Sequence, residues 1–543
     1  MTLPAPAADR AIWKGHAPDM VDSRLALVGV WLRDCATQHE DCQPGSGQLP
    51  KRLISIDRVG QQLITKLVRT DHMNSANLQY TTLSHCWGKT HVIKTTKETE
   101  SLFTKEIPFL ELPHTFQDAV RVSWNVGIPL IWIDSLCIQQ GDNEEWQVES
   151  AKMADIFQGS ALTIAATDSP NSHGGCFLTL EPPVELSNMT ANLSEAPAIF
   201  QMRDRDNATE LQVRLQATSV LLRVNKSALN SRGWVLQEMV LSRRLLHCTR
   251  QELYWKCRCR CETELGMSYE ATSKSHKLPR LRRDSLHLAS ETWHQWIRNY
   301  TPRAFSIYDD RLPAVAGITK FYQDVTGDYP MLGLWKKSLC QDLEWRLVPS
   351  TNIASASSSA AVNELPSWSW LSCPYHIEFG FGEEFHNTTG HTTLHVQLID
   401  FDLRWTSEQL TSPVAYARLV VQGPAMDIDF KSTDRHHKDL RDATVFDASL
   451  VAQHILQGSS GSHVAHAYLD RIFYKDAFQS TCLLLRTTET DQLRREVFLF
   501  LHPACGGRNS SSIYSRIGLG LISTRLADTP AFHDSTSRAI QLV

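Results

Sequence analysis

The chain has 543 residues, more than one ordinary core accommodates, so about two to four packed units are expected. Its apolar fraction of 42% and charged fraction of 21% are globular, and its formal charge of −5 argues against a nucleic-acid partner. No segment approaches the roughly 20 consecutive apolar residues of a membrane helix, and the opening residues lack a signal-peptide core, so neither membrane insertion nor secretion is expected.

Residues 20 to 34 carry a helical apolar pattern (Leu25, Leu27, Val28, Val30, Trp31, Leu32), and 53 to 68 reads as a strand pair turning at Gly60. Leu78–Ser84 then reads as a strand, Phe116–Asn125 as a helix and Pro129–Ile133 as a short apolar strand. Glu144–Phe157 is again helical, and Ala161–Ala166 is an apolar strand. Strand, helix, strand, helix, strand predicts a parallel α/β sheet with flanking helices. Beyond 262 the texture changes. Residues 285 to 346 are rich in Trp and Leu at helical spacing, Lys277–Arg283 is a short basic stretch read as a solvated loop, and Ala354–Ala361 reads as a Ser/Ala linker. From about 392 onward short alternating runs (His395–Ile399, Ala417–Gln422, Thr481–Leu485, Val497–Leu501, Ile517–Ile522) predict a β-rich C-terminal region. The expected organisation is therefore an extension over 1–77, a central domain over 78–262, a mainly helical segment over 263–375 and a β-rich region over 376–543.

Three blocks in the centre carry a specific pattern. They are Tyr80-Thr-Thr-Leu-Ser-His-Cys-Trp-Gly88, Trp132-Ile-Asp-Ser-Leu-Cys-Ile-Gln-Gln140 followed by Asp142, Glu145 and Gln147, and Arg232-Gly-Trp-Val-Leu-Gln-Glu238 running on to Arg244. In order and spacing they resemble the fungal heterokaryon-incompatibility (HET) family. His85 stands where that family more often has Tyr, and Gln139 where it more often has Asn. The resemblance implies a role in non-self recognition and programmed cell death. It also implies a flavodoxin-like sheet distantly related to the Toll/interleukin-receptor (TIR) domain. Some TIR domains cleave NAD with a helix-borne glutamate in a Ser-x-Trp-Cys-x-x-Glu pattern. Ser231-Arg-Gly-Trp-Val-Leu-Gln-Glu238 is similar to it, which nominates Glu238 as the catalytic carboxylate and NAD as a substrate.

The same residues can be read physically. Ligands of an open parallel sheet sit outside the C-terminal ends of its strands. Block one leaves its strand at Ser84 and turns through His85, Cys86, Trp87 and Gly88. Block two leaves its strand at Asp134 and runs through Cys137, Gln139 and Gln140. Both loops are expected at one sheet edge, with Trp87 placed to stack on a planar ring. In block three, Trp234 and Glu238 are one helical turn apart. A carboxylate beside an indole suits an oxocarbenium-like transition state, and Arg232 suits a phosphate. The expected site is thus Glu238 and Asp134 as catalytic groups, with Ser84, His85, Trp87, Cys137, Gln139, Gln140, Arg232 and Trp234 binding the ligand. Each has a structural alternative. Asp142 and Glu145 form a helix capping box, Trp87, Trp132 and Trp234 are core aromatics, Asp134 is a cap, and Glu238 and Arg232 are ion-pair partners.

Thirteen cysteines, an odd number at low density, predict free thiols in a reducing, cytoplasmic setting. Cys35-x3-His39-x2-Cys42 has ligand-like spacing, yet no fourth ligand is evident, so helix packing is the default. Cys257-x-Cys259-x-Cys261, read as one strand, would space its thiols about 6.5 Å per step, a poor fit to one zinc, and no metal is expected. Three functions remain open: a HET effector hydrolysing NAD or a related nucleotide, a non-enzymatic scaffold acting by self-association or with a separate sensor protein, and a HET-like biosynthetic enzyme for a small metabolite.

Overall fold

A computed structural model describes residues 19–43, 48–73, 78–89, 93–176, 198–203, 210–215, 220–264, 266, 268–270, 286–348, 365–381, 390–431, 453–458, 461–470, 477–504 and 513–543. The Lys277–Arg283 stretch and the Ala354–Ala361 tract lie outside these residues. The chain divides into two compact units, 1–276 and 277–543.

The first unit is built on a nine-stranded sheet. Helix α1 (Asp19–Gln38) leads to the hairpin β1 (Arg52–Val59) and β2 (Gln62–Arg69), which turns at Gly60 with φ +62°. Then follow β3 (Thr81–Ser84), α2 (Glu100–Phe103), α3 (His114–Asn125), β4 (Leu130–Trp132), α4 (Asp134–Cys137), α5 (Asn143–Ala151), α6 (Met153–Gly159) and β5 (Leu162–Ala165). The hairpin β6 (Ala198–Arg203) and β7 (Glu210–Leu215) forms its own small sheet. After α7 (Val220–Lys226) and α8 (Val235–Leu241) come β8 (Arg244–Cys248), β9 (Leu253–Cys257), β10 (Arg260–Thr263) and β11 (Ser268–Glu270).

The strand order is β11-β10-β9-β8-β5-β3-β4-β1-β2. Only the centre is parallel: β4, β3, β5 and β8 run together, and antiparallel hairpins extend both edges. The expected parallel sheet is therefore a mixed one. Period-2 and apolar-run patterns identify strands but leave the direction of pairing open, and β1–β2 joins the sheet instead of forming a separate extension. Central strands covered on both faces should be apolar throughout, yet β3 and β5 carry three buried threonines. Their hydroxyls are all hydrogen-bonded to other side-chain hydroxyls. Thr81 donates to Ser123 at 2.8 Å, Thr82 meets Thr163 at 2.8 Å, and Thr163 meets Ser242 at 2.6 Å, so burial leaves none of the three unpaired.

In the second unit, α9 (Leu286–Tyr300) and α10 (Pro313–Thr326) bring together Trp293, Tyr322 and Trp335 in a buried aromatic cluster. The β-rich region is observed as expected. Its long strands Val414–Lys431, Ala477–Glu489, Leu493–Pro503, Ile513–Arg525 and Thr536–Leu542 pair so that they close a ring of five. Closure removes the exposed edges that such long strands would otherwise present.

Candidate functional site

The loops after β3 and β4 meet. Trp87 donates its indole N–H to Asp134 Oδ2 at 2.8 Å, and the backbone N–H of Ser135 donates to Asp134 Oδ1 at 2.7 Å, so Asp134 also starts α4. His85 Nδ1 lies 3.9 Å from Asp134 Oδ1, and its ring packs edge-on against Phe116 at 4.9 Å. Neither His85 ring nitrogen nor the Ser84 hydroxyl has a hydrogen-bond partner among the described residues. Burial pushes the His85 imidazole down to about 4, against the pull of Asp134 and with that of Arg232. It is a neutral base at pH 7. Gly88 turns the chain with φ +80°, and a Cβ there would meet the Asn171 side chain at 2.5 Å.

The third block returns to this edge. Arg232 donates a guanidinium N–H to the His85 carbonyl. Burial raises the Cys86 thiol, with Arg232 lowering and Glu238 raising it, so both block-three charges are felt beside block one. Glu238, expected from the sequence as a carboxylate beside an indole, is only 5% exposed. The short α8 begins at Val235, so Trp234 caps it, and Trp234 sets its ring edge-on to Trp146 at 6.4 Å. Helical spacing put Trp234 and Glu238 on one face but could not show that this face turns inward.

Block two is largely structural. Cys137 is fully buried, accepts from the Ile133 N–H at 3.4 Å, and is pushed up to about 12 by burial, which favours the thiol over the thiolate. Gln139 is buried, and its backbone N–H donates to Glu145 Oε1 at 2.9 Å. Gln140, half-buried, donates its side-chain amide to Ile138 O at 3.0 Å. Asp142 caps α5 by accepting from the Glu145 N–H at 3.1 Å. Glu145 does not complete the capping box but turns to Arg52 of β1, which is buried and also pairs with Glu100 at 2.8 Å. The Arg52–Glu145 pair, absent from the expected site, fixes the loop that carries Asp134. Its signal was Leu49-Pro-Lys-Arg52, a basic residue entering the apolar first half of a strand.

Another loop was missed. After β5, residues 167 to 173 run Thr-Asp-Ser-Pro-Asn-Ser-His. Ser172 donates to the Trp87 carbonyl at 3.1 Å, Thr167 meets His247 Nδ1 at 3.1 Å, and Asp168 accepts from the Arg250 N–H at 3.0 Å. The rule that led to blocks one and two applies equally to this polar run after an apolar strand.

The edge therefore combines a partly exposed carboxylate (Asp134), a neutral imidazole, two half-buried indoles and a half-buried guanidinium. That set can stack on a planar ring, hold an anion and move a proton. Residues 80–238 match the family model described as Heterokaryon incompatibility protein (HET). No curated protein and no solved structure matches the chain. No described helix is long and apolar enough to cross a membrane.

Proposed function

This chain is a HET-domain protein, and from that premise we propose that it acts in fungal non-self recognition by binding a nucleotide-like ligand at the C-terminal edge of its central strands, with Glu238 as the carboxylate that cleaves a glycosidic bond. The observation carrying this reading is the return of Arg232 to the His85 carbonyl, which places block three against block one. The central order β4-β3-β5-β8 is that of the first four strands of a flavodoxin-like sheet, in which ligands bind at the crossover point between the first and third, here β3 and β5. A low-dielectric carboxylate stabilises positive charge growing at an anomeric carbon, and Arg232 suits a phosphate.

The test is incubation of the full chain with NAD, following nicotinamide release, for the parent and for Glu238→Gln. Loss of an electrostatic group of this kind lowers turnover on the order of 100-fold or more. A folded Glu238→Gln chain with parental turnover, or a parent with no turnover of NAD, overturns the enzymatic reading. The burial of Glu238 favours a second reading, in which it is an internal structural carboxylate and the domain signals by self-association. Light scattering on the full chain decides it: a concentration-independent monomer excludes homo-oligomeric signalling.

A further inference from the structure

The motif Cys35-x3-His39-x2-Cys42 acquires its missing partner in three dimensions. Helix α1 ends just before His39, a single 3-10 turn (Glu40–Cys42) follows, and Cys257 closes β9 beside them. The three Sγ atoms and one His39 ring nitrogen all lie within 4.8 Å of one another, and Cys257 Sγ is 3.4 Å from His39 Nδ1. Cys257, Cys259 and Cys261 do not share one strand, as the sequence had suggested. A turn separates β9 from β10, sending Cys257 to the cluster and Cys261 elsewhere.

We propose that Cys35, His39, Cys42 and Cys257 form a structural zinc site. A tetrahedron with Zn–S of about 2.3 Å and Zn–N of about 2.0–2.1 Å needs ligand atoms roughly 3.5–4 Å apart, so the observed cluster closes on an ion with shifts of side-chain size. Three thiols and an imidazole are the soft, four-ligand set that selects zinc; three of them come from the single stretch 35–42 and the fourth, Cys257, from a strand far away in sequence. The surroundings suit thiolates. Arg244 Nε donates to Cys35 Sγ at 3.1 Å, and the Arg260 backbone N–H donates to Cys257 Sγ at 3.3 Å. Binding releases three thiol protons and leaves a complex of charge −1 beside the buried Arg244 guanidinium. The three cysteines are free thiols.

The site has a structural consequence. Its ligands lie on both sides of the family-matching segment 80–238, and His39 and Cys257 are 218 residues apart. Zinc would therefore fasten α1 to β9, where Trp31 meets Trp255 at 6.1 Å and, nearby, Arg24 pairs with Glu264 at 2.8 Å.

The experiment is metal analysis of the full chain, purified under reducing conditions, by inductively coupled plasma mass spectrometry, followed by cobalt substitution. The expected result is about one zinc per chain and, with Co2+, tetrahedral d–d bands with a thiolate charge-transfer band. Cys257→Ser should abolish the stoichiometric metal, whereas Cys259→Ser, altering the neighbouring thiol outside the cluster, should keep it. His39→Cys should retain the metal while moving the cobalt spectrum to that of four thiolates, which tests the ligand set even where Cys257→Ser fails to fold. A reduced parent that binds neither zinc nor cobalt overturns the proposal. So does iron in place of zinc, a disulfide among the three cysteines, or a His39→Cys cobalt spectrum identical to the parent's.

Discussion

Glu145→Gln tests the anchor beneath the candidate site. Glu145 accepts from Arg52, Lys51 and the Gln139 amide, and its side chain is 9% exposed. Burial alone would raise its carboxyl, but those donors outweigh it and hold the group at about 2, against an ordinary 4.5. At about 1.36 kcal/mol per tenfold, that difference corresponds to ~3 kcal/mol favouring the charged carboxylate in the folded chain. Lys51 is about a third exposed and screened by water, so we expect a loss of about 2–3 kcal/mol for Glu145→Gln at pH 7. The magnitude agrees with the roughly 3–5 kcal/mol typical of removing one partner from a buried pair, reduced because Glu100 still engages Arg52.

A depressed carboxyl contributes its full stability above its unfolded value and loses it as pH falls through the folded one. The gap between parent and variant should therefore be constant above pH ~5, shrink below 4.5, and fall to less than half by pH 3. In scanning calorimetry of the full chain, the transition of the first unit should drop by roughly 5–10 °C at pH 7. A drop under about 1 °C, or one of equal size at pH 3 and pH 7, would refute the reasoning. Parental stability together with lost ligand binding would instead make Glu145 a member of the site.

Gly88→Ala should cost about 1–3 kcal/mol by urea titration, because φ +80° strains an alanine and its Cβ would strike Asn171; parental stability would show that the turn relaxes freely. His85, held at about 4 against an ordinary 6.5, stays neutral on folding while the unfolded chain protonates, so its contribution is present above 6.5 and is lost as pH falls towards 4. Between pH 7 and pH 5 that loss is about 2 kcal/mol, and His85→Gln should flatten the stability profile by that amount; profiles that superimpose would exclude His85 as the titrating group.

What was legible in the sequence was local. Gly60 between two alternating runs identified the first hairpin, the Asp142–Glu145 spacing identified a helix start, and the apolar run Leu162–Ala165 identified a buried strand. What was not legible required pairing across distance. Arg52 and Glu145 are 93 residues apart, and no periodicity relates a basic residue in a strand to an acidic one in a helix. The same holds for Cys257, whose spacing to Cys259 and Cys261 read as a strand of three thiols because the β9–β10 turn was invisible in a run of alternating Cys and Arg. Glu238 shows the converse failure. Its place one turn after Trp234 was readable, but whether a face looks inward depends on what packs against it, and α6, which packs against α8, lies some 80 residues earlier. Motif spacing thus supplied two loops and one short helix at one sheet edge, whereas the ion pair that holds the second loop was set by long-range packing. That division argues for mutating the supports (Arg52 and Glu145) alongside Glu238, since a chain whose loops have slipped would mimic the loss of a catalytic carboxylate.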